Sequence, residues 1–192
     1  MLNHGPPEDG YQVRYLSLDD FNKGYLPLLE QLTVVGNLSE QRFTEVFKQR
    51  ELQPDAYRTL VIEHVPSQQL VATGTLLVEA KFVREGTNVG HIEDIVVDSA
   101  HRGRGLAKRL MSALGEEAQA TQCRKVILDC AERNIGFYEK CGYKAFERQM
   151  RLDLPCSARD GGGPCDTAAP TKRSSADTGT EAAQESIKRC KA

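Results

Sequence analysis

Hydrophobic and polar positions alternate between two periods along this chain. Residues 11–18 alternate weakly and predict a first strand. Phe21, Tyr25, Leu28, Leu29 and Leu32 then recur at helical spacing behind Asp19 and Asp20, which suit a helix N-terminus. Pro27 is the expected break or bend in that helix. A turn at Gly36-Asn37 precedes a second helix, capped by Ser39, carrying Phe43, Val46 and Phe47, and ended by Gln53-Pro54-Asp55. Two strands follow, over 57–65 and 70–78, joined at Pro66-Ser67 as a hairpin would be. Gly74 interrupts the second strand and marks a bulge or a close backbone approach. After a loop at Gly86, residues 90–97 predict another strand. Leu106, Leu110 and Leu114 then step along one face of a helix that runs to about Ala120. Residues 125–129 are nearly all apolar, the pattern of a short, buried central strand. A short helix over 134–140, with Gly142 placed for a left-handed cap, and a last strand over 145–154 complete the pattern.

From Pro155 the composition changes to Gly, Ser, Thr, Ala and Pro, and the stretch cannot bury enough apolar surface to offset its ordering entropy. The expected organisation is a flexible N-terminus over 1–10, one domain over 11–154, and a disordered tail over 155–192 in which 181–191 can form a transient helix. The chain has 192 residues, 40% of them hydrophobic, and a net charge of −2. That balance gives no pull towards nucleic acid, and no apolar run approaches the ~18 residues of a membrane span. The polar, proline-bearing N-terminus lacks a signal-peptide core. The expectation is a soluble cytoplasmic protein with no membrane or nucleic-acid partner. Six cysteines occur without C-x-x-C spacing and four histidines without H-x-x-x-H, so no metal site is expected and reduced thiols are favoured.

The chemistry concentrates between the strand at 90–97 and the helix that begins at Leu106. Arg102-Gly103-Arg104-Gly105 lies there, with Glu93 and Asp94 just upstream. Glycines admit close ligand approach, arginines add charge, and the helix N-terminus supplies orphan N–H donors, so the turn reads as a phosphate cradle. A Walker loop is absent. The dinucleotide pattern fails because Lys108 stands where the third glycine belongs. A phosphate cradle beside two acids points to a transferase that uses a phosphorylated cofactor.

Arg102-Gly103-Arg104-Gly105-Leu106-Ala107 resembles the pyrophosphate signature [QR]-x-x-G-x-[GA] of the GNAT acetyltransferases. Within them the chain resembles the glucosamine 6-phosphate N-acetyltransferases over about 11–154. The likeness is carried by Leu32-Thr33-x-x-Gly36, His91-Ile92-Glu93-Asp94, the cradle, Ile127-Leu128-Asp129-Cys130 and Asn134-x-x-Phe137-Tyr138-Glu139-Lys140-Cys141-Gly142. The resemblance implies a GNAT fold, an α/β (α+β) arrangement with a central mixed, mostly antiparallel sheet flanked by helices. It implies a homodimer that transfers acetyl from acetyl-CoA, without metal, to the 2-amino group of glucosamine 6-phosphate on the route to UDP-N-acetylglucosamine, with sugar sites completed across subunits.

For CoA the matching positions are Ile95, Val96 and Val97, then Arg102, Gly103, Arg104, Gly105, Leu106, Ala107 and Lys108, with Asn134 and Tyr138. For the sugar phosphate they are Thr33, Lys81, Phe82, Val83, Arg84, Glu93, Asp94, Arg124 and Lys125. The family's basic residue near the end of the last strand is replaced here by Asp153, with Arg151 nearby. Glu93 is the implied general base, Tyr138 the proton donor to the thiolate, and Asp129 a substrate-orienting acid. Each also has a plain reading: Glu93 and Asp94 as polar strand residues, Tyr138 as a core aromatic, Asp129 as a strand-end acid. The two acids face opposite sides unless a bulge intervenes. A different amine acceptor and a non-catalytic CoA-binding module stay open at this stage.

Overall fold

The computed structural model describes residues 4–152 and 154. Five strands form one sheet in the order β1-β2-β3-β4-β5. They are β1 (Tyr11–Tyr15), β2 (Tyr57–His64), β3 (Gln69–Ala80), β4 (Asn88–Val97) and β5 (Cys123–Ile127). Neighbours pair antiparallel from β1 to β4, and β5 joins β4 in parallel. This is the mixed, mostly antiparallel sheet of the expected α/β class.

A parallel pair needs a crossover, and α3 (Leu106–Ala120) supplies it between β4 and β5. Its Leu110 and Leu114 are fully buried against Leu60, Ile62, Leu76 and Ile92. The opposite face is covered by α1 (Tyr25–Glu30) and α2 (Glu40–Glu51), whose Tyr25, Leu28 and Phe43 pack on Val61, Leu70 and Val96. Leu60, Val61 and Ile62 alternate between the two layers and are all fully buried. Each contributes roughly 1.5–3 kcal/mol of burial.

The helix predicted behind Asp19 and Asp20 is split, and the break falls at Gly24 instead of Pro27. A 3-10 turn, Leu18–Lys23, ends at Gly24 in the left-handed region (φ 82°), and α1 starts afresh. Pro27 lies in the first turn of α1, where its missing N–H would have had no helical partner. Asp20 is fully buried and takes two 2.7 Å hydrogen bonds from the Arg14 guanidinium, which pins this turn to β1.

Residues 4–10 run over α3 and are drawn there by a buried acid. Glu117 is fully buried, accepts a hydrogen bond from the Tyr15 hydroxyl, and has Nε2 of His4 at 3.0 Å and Nη1 of Arg58 at 3.3 Å.

Two sequence expectations change. Residues 145–152 form no strand, and Phe146 and Met150 are 86% and 91% exposed. β5, expected as a buried central strand, is instead an edge, with Arg124, Lys125 and Ile127 exposed. The two departures share a cause: a strand needs a neighbour to satisfy its backbone, and neither segment finds the other within the described residues. Asp153 and the tail over 155–192, including 181–191, lie outside the described residues. Among the described residues no helix is long and apolar enough to cross a membrane, and no cluster of three metal-ligating side chains occurs.

Candidate active site

The site is organised by an irregularity in β4. Thr75 pairs with Glu93 and Thr73 with Val96, so Asp94 and Ile95 both stand opposite Gly74. Asp94 takes φ 55°, a left-handed conformation uncommon for a side-chain-bearing residue. The extra residue reverses the alternation. Ile92 and Ile95 both pack in the α3 layer, whereas Val96 packs in the α1/α2 layer. The strand bulge expected on family grounds is therefore present, and it moves Glu93 and Asp94 out of simple alternation.

The same strand parts from β5. Their parallel register runs from Asn88 opposite Cys123 to His91 opposite Ile127 and goes no further. Beyond His91 no residue of β5 pairs with β4, and the chain after Ile127 runs on through Leu128, Asp129 and Cys130 outside any strand. The region past strand ends is where parallel α/β pairs bind ligands.

At the end of β4 stands the cradle. Asp98 caps a short 3-10 turn, Ser99–His101, by accepting a hydrogen bond from Ala100 N–H at 2.8 Å. Gly103 and Gly105 follow with φ 77° and 76°, and neither has any atom within 4 Å of where a Cβ would stand. Left-handed backbone in open space is the local geometry that lets a phosphate approach N–H groups, and Gly105 is also the N-cap of α3. The first turn of α3 carries Lys108 and no acid. Beside it lies an open depression of about 580 Å³ lined by Tyr11, Arg104, Gly105, Lys108 and Arg109 among others. Arg102, Gly103, Arg104, Gly105 and Lys108 are all exposed, while Leu106 is buried and anchors the turn.

Glu93 is exposed on the cleft wall. Partial desolvation raises its carboxyl above the ordinary carboxylate range, the negative charges of Asp129 and Asp94 push the same way, and His91 opposes them. Tyr138 stands on α4 (Ile135–Lys140), half-buried with Phe137 and Tyr143 against the α3 core. Desolvation raises its hydroxyl as well, followed by Cys130, Cys141 and Asp129. Asp129 thus acts electrostatically on both Glu93 and Tyr138, which puts the three candidate catalytic groups in one electrostatic neighbourhood. Asn134, just ahead of α4, is exposed.

The proposed sugar-phosphate cations are not gathered there. Ala80 pairs with Asn88, which pairs with Cys123, and Lys125 lies opposite Val89. Lys81, Arg84, Arg124 and Lys125 therefore sit at the far end of β4, roughly 13–17 Å of strand from Glu93. Lys81 is held by Glu79 at 2.5 Å, and the same carboxylate takes His91 Nε2 at 2.9 Å. Phe82 and Val83 are 104% and 65% exposed, and Arg84 and Glu85 are both left-handed (φ 54° and 63°). Thr33 is exposed in the loop after α1.

Sequence reasoning missed Gln31. Its side chain donates to Asp98 Oδ2 at 2.7 Å and accepts from Ser99 N–H at 2.9 Å, joining the loop that carries Thr33 to the turn that carries the cradle. A contact across 67 residues leaves no mark in local periodicity.

A fold of this kind, with a bulged β4, a splayed β5 and a Gly-Arg turn at a helix start, is that of an acetyltransferase. Residues 18–143 match the acetyltransferase (GNAT) family, and the chain belongs to that family. It is 46% identical over 135 residues to glucosamine 6-phosphate N-acetyltransferase of Candida albicans, covering 70% of this chain and 90% of that one. It is 41% identical over 148 residues to glucosamine 6-phosphate N-acetyltransferase 1 of Dictyostelium discoideum, covering 77% and 94%. The crystal structure of glucosamine-6-phosphate N-acetyltransferase from Arabidopsis thaliana superposes with a TM-score of 0.73 at 39% identity, over 75% of this chain and 98% of that one.

Proposed function

We propose that this chain transfers the acetyl group of acetyl-CoA to the 2-amino group of D-glucosamine 6-phosphate, giving N-acetylglucosamine 6-phosphate and CoA for UDP-N-acetylglucosamine synthesis. The observation that supports the reading is the bulge at Asp94–Ile95, beside an acid, Glu93, whose carboxyl is raised, on the strand that leads into the left-handed Gly103–Gly105 turn. The 40–46% identity to relatives of that name over most of their length supports the acceptor.

Acetyl-CoA is held by the N–H groups of Gly103 to Leu106 and the charges of Arg102, Arg104 and Lys108 at its pyrophosphate. Backbone groups of Ile95, Val96 and Val97 take its pantetheine arm, and Asn134 and Ala107 line the approach. Glu93 accepts a proton from the sugar ammonium, directly or through water, and its raised pKa brings it nearer the task. The neutral nitrogen attacks the thioester carbon to give a tetrahedral intermediate. As that collapses the carbon–sulfur bond breaks and the nitrogen gives up its second proton to solvent, which leaves the neutral amide and returns a proton to Tyr138 after its donation. Tyr138, kept protonated by desolvation, donates to the departing sulfur. Asp129 orients the acceptor and holds negative charge near the developing cation.

The protein is a homodimer in this reading. Phe146, Met150, Leu152 and Leu154 share one parity and are all exposed, as are Ile127 on the β5 edge and Phe82. Pairing of residues 145–154 with the partner's β5 edge covers these faces. It also allows Lys81, Phe82, Val83, Arg84, Arg124 and Lys125 of one protomer to complete the sugar-phosphate site of the other, with Thr33 and Asp94 on the acceptor hydroxyls and Arg151 as the basic residue displaced from 153. The catalytic domain then spans 11–154. A cytoplasmic setting accords with the free thiols of Cys123, Cys130 and Cys141.

The test is CoA release from acetyl-CoA with a panel of amines. Glucosamine 6-phosphate should exceed glucosamine, polyamines and lysine peptides by orders of magnitude in kcat/KM. Equal rates with unphosphorylated glucosamine would remove the phosphate from recognition.

A further inference from the structure

We propose that Gln31 is a positioning residue that couples acceptor binding to acetyl-CoA binding, an inference that rests on the acceptor assigned above. Gln31 closes α1, and its amide bridges two adjacent groups just past the end of β4. Nε2 donates to Asp98 Oδ2 at 2.7 Å, and Oε1 accepts from the backbone N–H of Ser99 at 2.9 Å. Both partners are themselves restrained. Asp98 N–H donates to Val71 O at 2.8 Å, which ties it to β3, and Asp98 Oδ1 takes Ala100 N–H at 2.8 Å. The Gln31 hydrogen bond is the leading influence that holds the Asp98 carboxyl below its ordinary range.

On one side of this clamp the chain continues into Leu32 and Thr33, which are exposed and lead a loop without regular structure as far as Ser39. On the other it continues through Ser99–His101 into Arg102, Gly103, Arg104 and Gly105. Two segments that each meet one substrate are thus joined by a single side chain. A pyrophosphate that orders the cradle turn restrains Ser99 and Asp98, and through Gln31 it restrains the start of the 31–38 loop. The acceptor then meets a loop already ordered and has less entropy to lose, which is positive cooperativity without a new contact. The coupling acts equally in both directions.

CoA and glucosamine 6-phosphate together form a complex without turnover, so calorimetry can read the coupling directly. The Kd of CoA is measured with and without saturating glucosamine 6-phosphate. In wild type the sugar should tighten CoA at least about fivefold, the low end for linked sites. In Gln31→Ala the ratio should fall to within about twofold of one while each ligand still binds and the melting temperature holds. Gln31→Glu should lose the coupling too, because it sets two carboxylates against each other. Adding Asp98→Asn restores a donor facing Glu at 31 and keeps the acceptor for Ala100, so the double variant should regain the wild-type ratio. Hydrogen exchange gives a second readout: CoA should slow exchange of amides in residues 32–38 in wild type and not in Gln31→Ala. An unchanged ratio in Gln31→Ala, or a wild-type ratio of one, overturns the inference and leaves the acceptor assignment standing. Absence of glucosamine 6-phosphate binding to wild type, with CoA still bound, overturns both.

Discussion

Gly74 and Ile95 meet so closely across β3 and β4 that a Cβ on Gly74 would lie 2.3 Å from Ile95 Cδ1. The contact explains how the bulge is accommodated. Two residues of β4 must share the space opposite one residue of β3, and the extra side chain fills the place where the partner's Cβ would be. Leu114 Cδ1 and Leu110 Cδ2 close the same space from α3, at 3.0 and 3.3 Å from that imagined Cβ. The β4 irregularity is thereby packed into the core.

Gly74→Ala should therefore destabilise the fold by about 1–3 kcal/mol, the usual cost of overfilling a packed core. The atoms in its way are the ends of flexible side chains, so the fold should survive. The rate should suffer if Ile95 yields by shifting the backbone of the bulge and should hold if its terminal methyl rotates away. Ile95→Val removes the clashing Cδ1, so the double variant should be more stable than the sum of the two single changes implies. Chemical denaturation of the four proteins measures this. Strict additivity would mean that the two positions do not compete for space.

Glu93→Gln should lower turnover at least tenfold, within the ~10²–10⁴ range for loss of a general base, with acetyl-CoA affinity kept. A base works only when deprotonated, so kcat/KM should fall as pH drops through the Glu93 pKa. That limb should lie above the ordinary carboxylate range, because burial and the Asp129 and Asp94 charges raise it. Asp129→Asn removes one of those charges and should move the limb to lower pH. A limb unmoved in Asp129→Asn, in a variant that still turns over, would separate Asp129 from Glu93.

The parts of this site that local pattern can carry were legible in the chain. Leu106, Leu110 and Leu114 marked the buried face of α3, and the two glycines of the cradle marked a left-handed turn before it. Gly74 marked a close approach, but not its partner, because Ile95 is brought opposite only by a register that pattern does not encode. Pro27 looked like the helix breaker, yet a first-turn proline costs a helix little, and Gly24 with φ 82° made the break. β5 read as buried because the short apolar run Val126-Ile127-Leu128 is the same for a central strand as for an edge, and sheet order is not written in local pattern.

Tyr138→Phe should impair the departure of the thiolate and leave binding alone. The hydroxyl has no hydrogen-bond partner among the described residues, and the ring's packing with Phe137 and Tyr143 survives loss of the oxygen. Stability should change by no more than about 1 kcal/mol, the scale of one hydrogen bond. Turnover should fall with little change in the Michaelis constants, the pattern of an interaction made in the transition state. Turnover within about twofold of wild type would make Tyr138 a packing residue.

Two truncations separate the tail from the last predicted strand. A chain ending at Leu154 should keep the melting temperature, the rate and the solution mass of the full chain, because 155–192 offers little apolar surface to bury. A chain ending at Lys144 loses Phe146, Met150, Leu152 and Leu154, whose burial against a partner is worth roughly 6–12 kcal/mol before ordering costs. On the proposed homodimer it should sediment as a monomer and lose most of its turnover, since the partner's cations would no longer reach the sugar phosphate. Met150→Glu with Leu152→Glu provides a milder version, which keeps the backbone and charges only the apolar face. Both should raise the KM for glucosamine 6-phosphate more than that for acetyl-CoA, because the cradle lies wholly within one chain. A monomeric Lys144 truncation with full activity would confine the sugar site to a single protomer, and a dimeric one would move the interface away from β5.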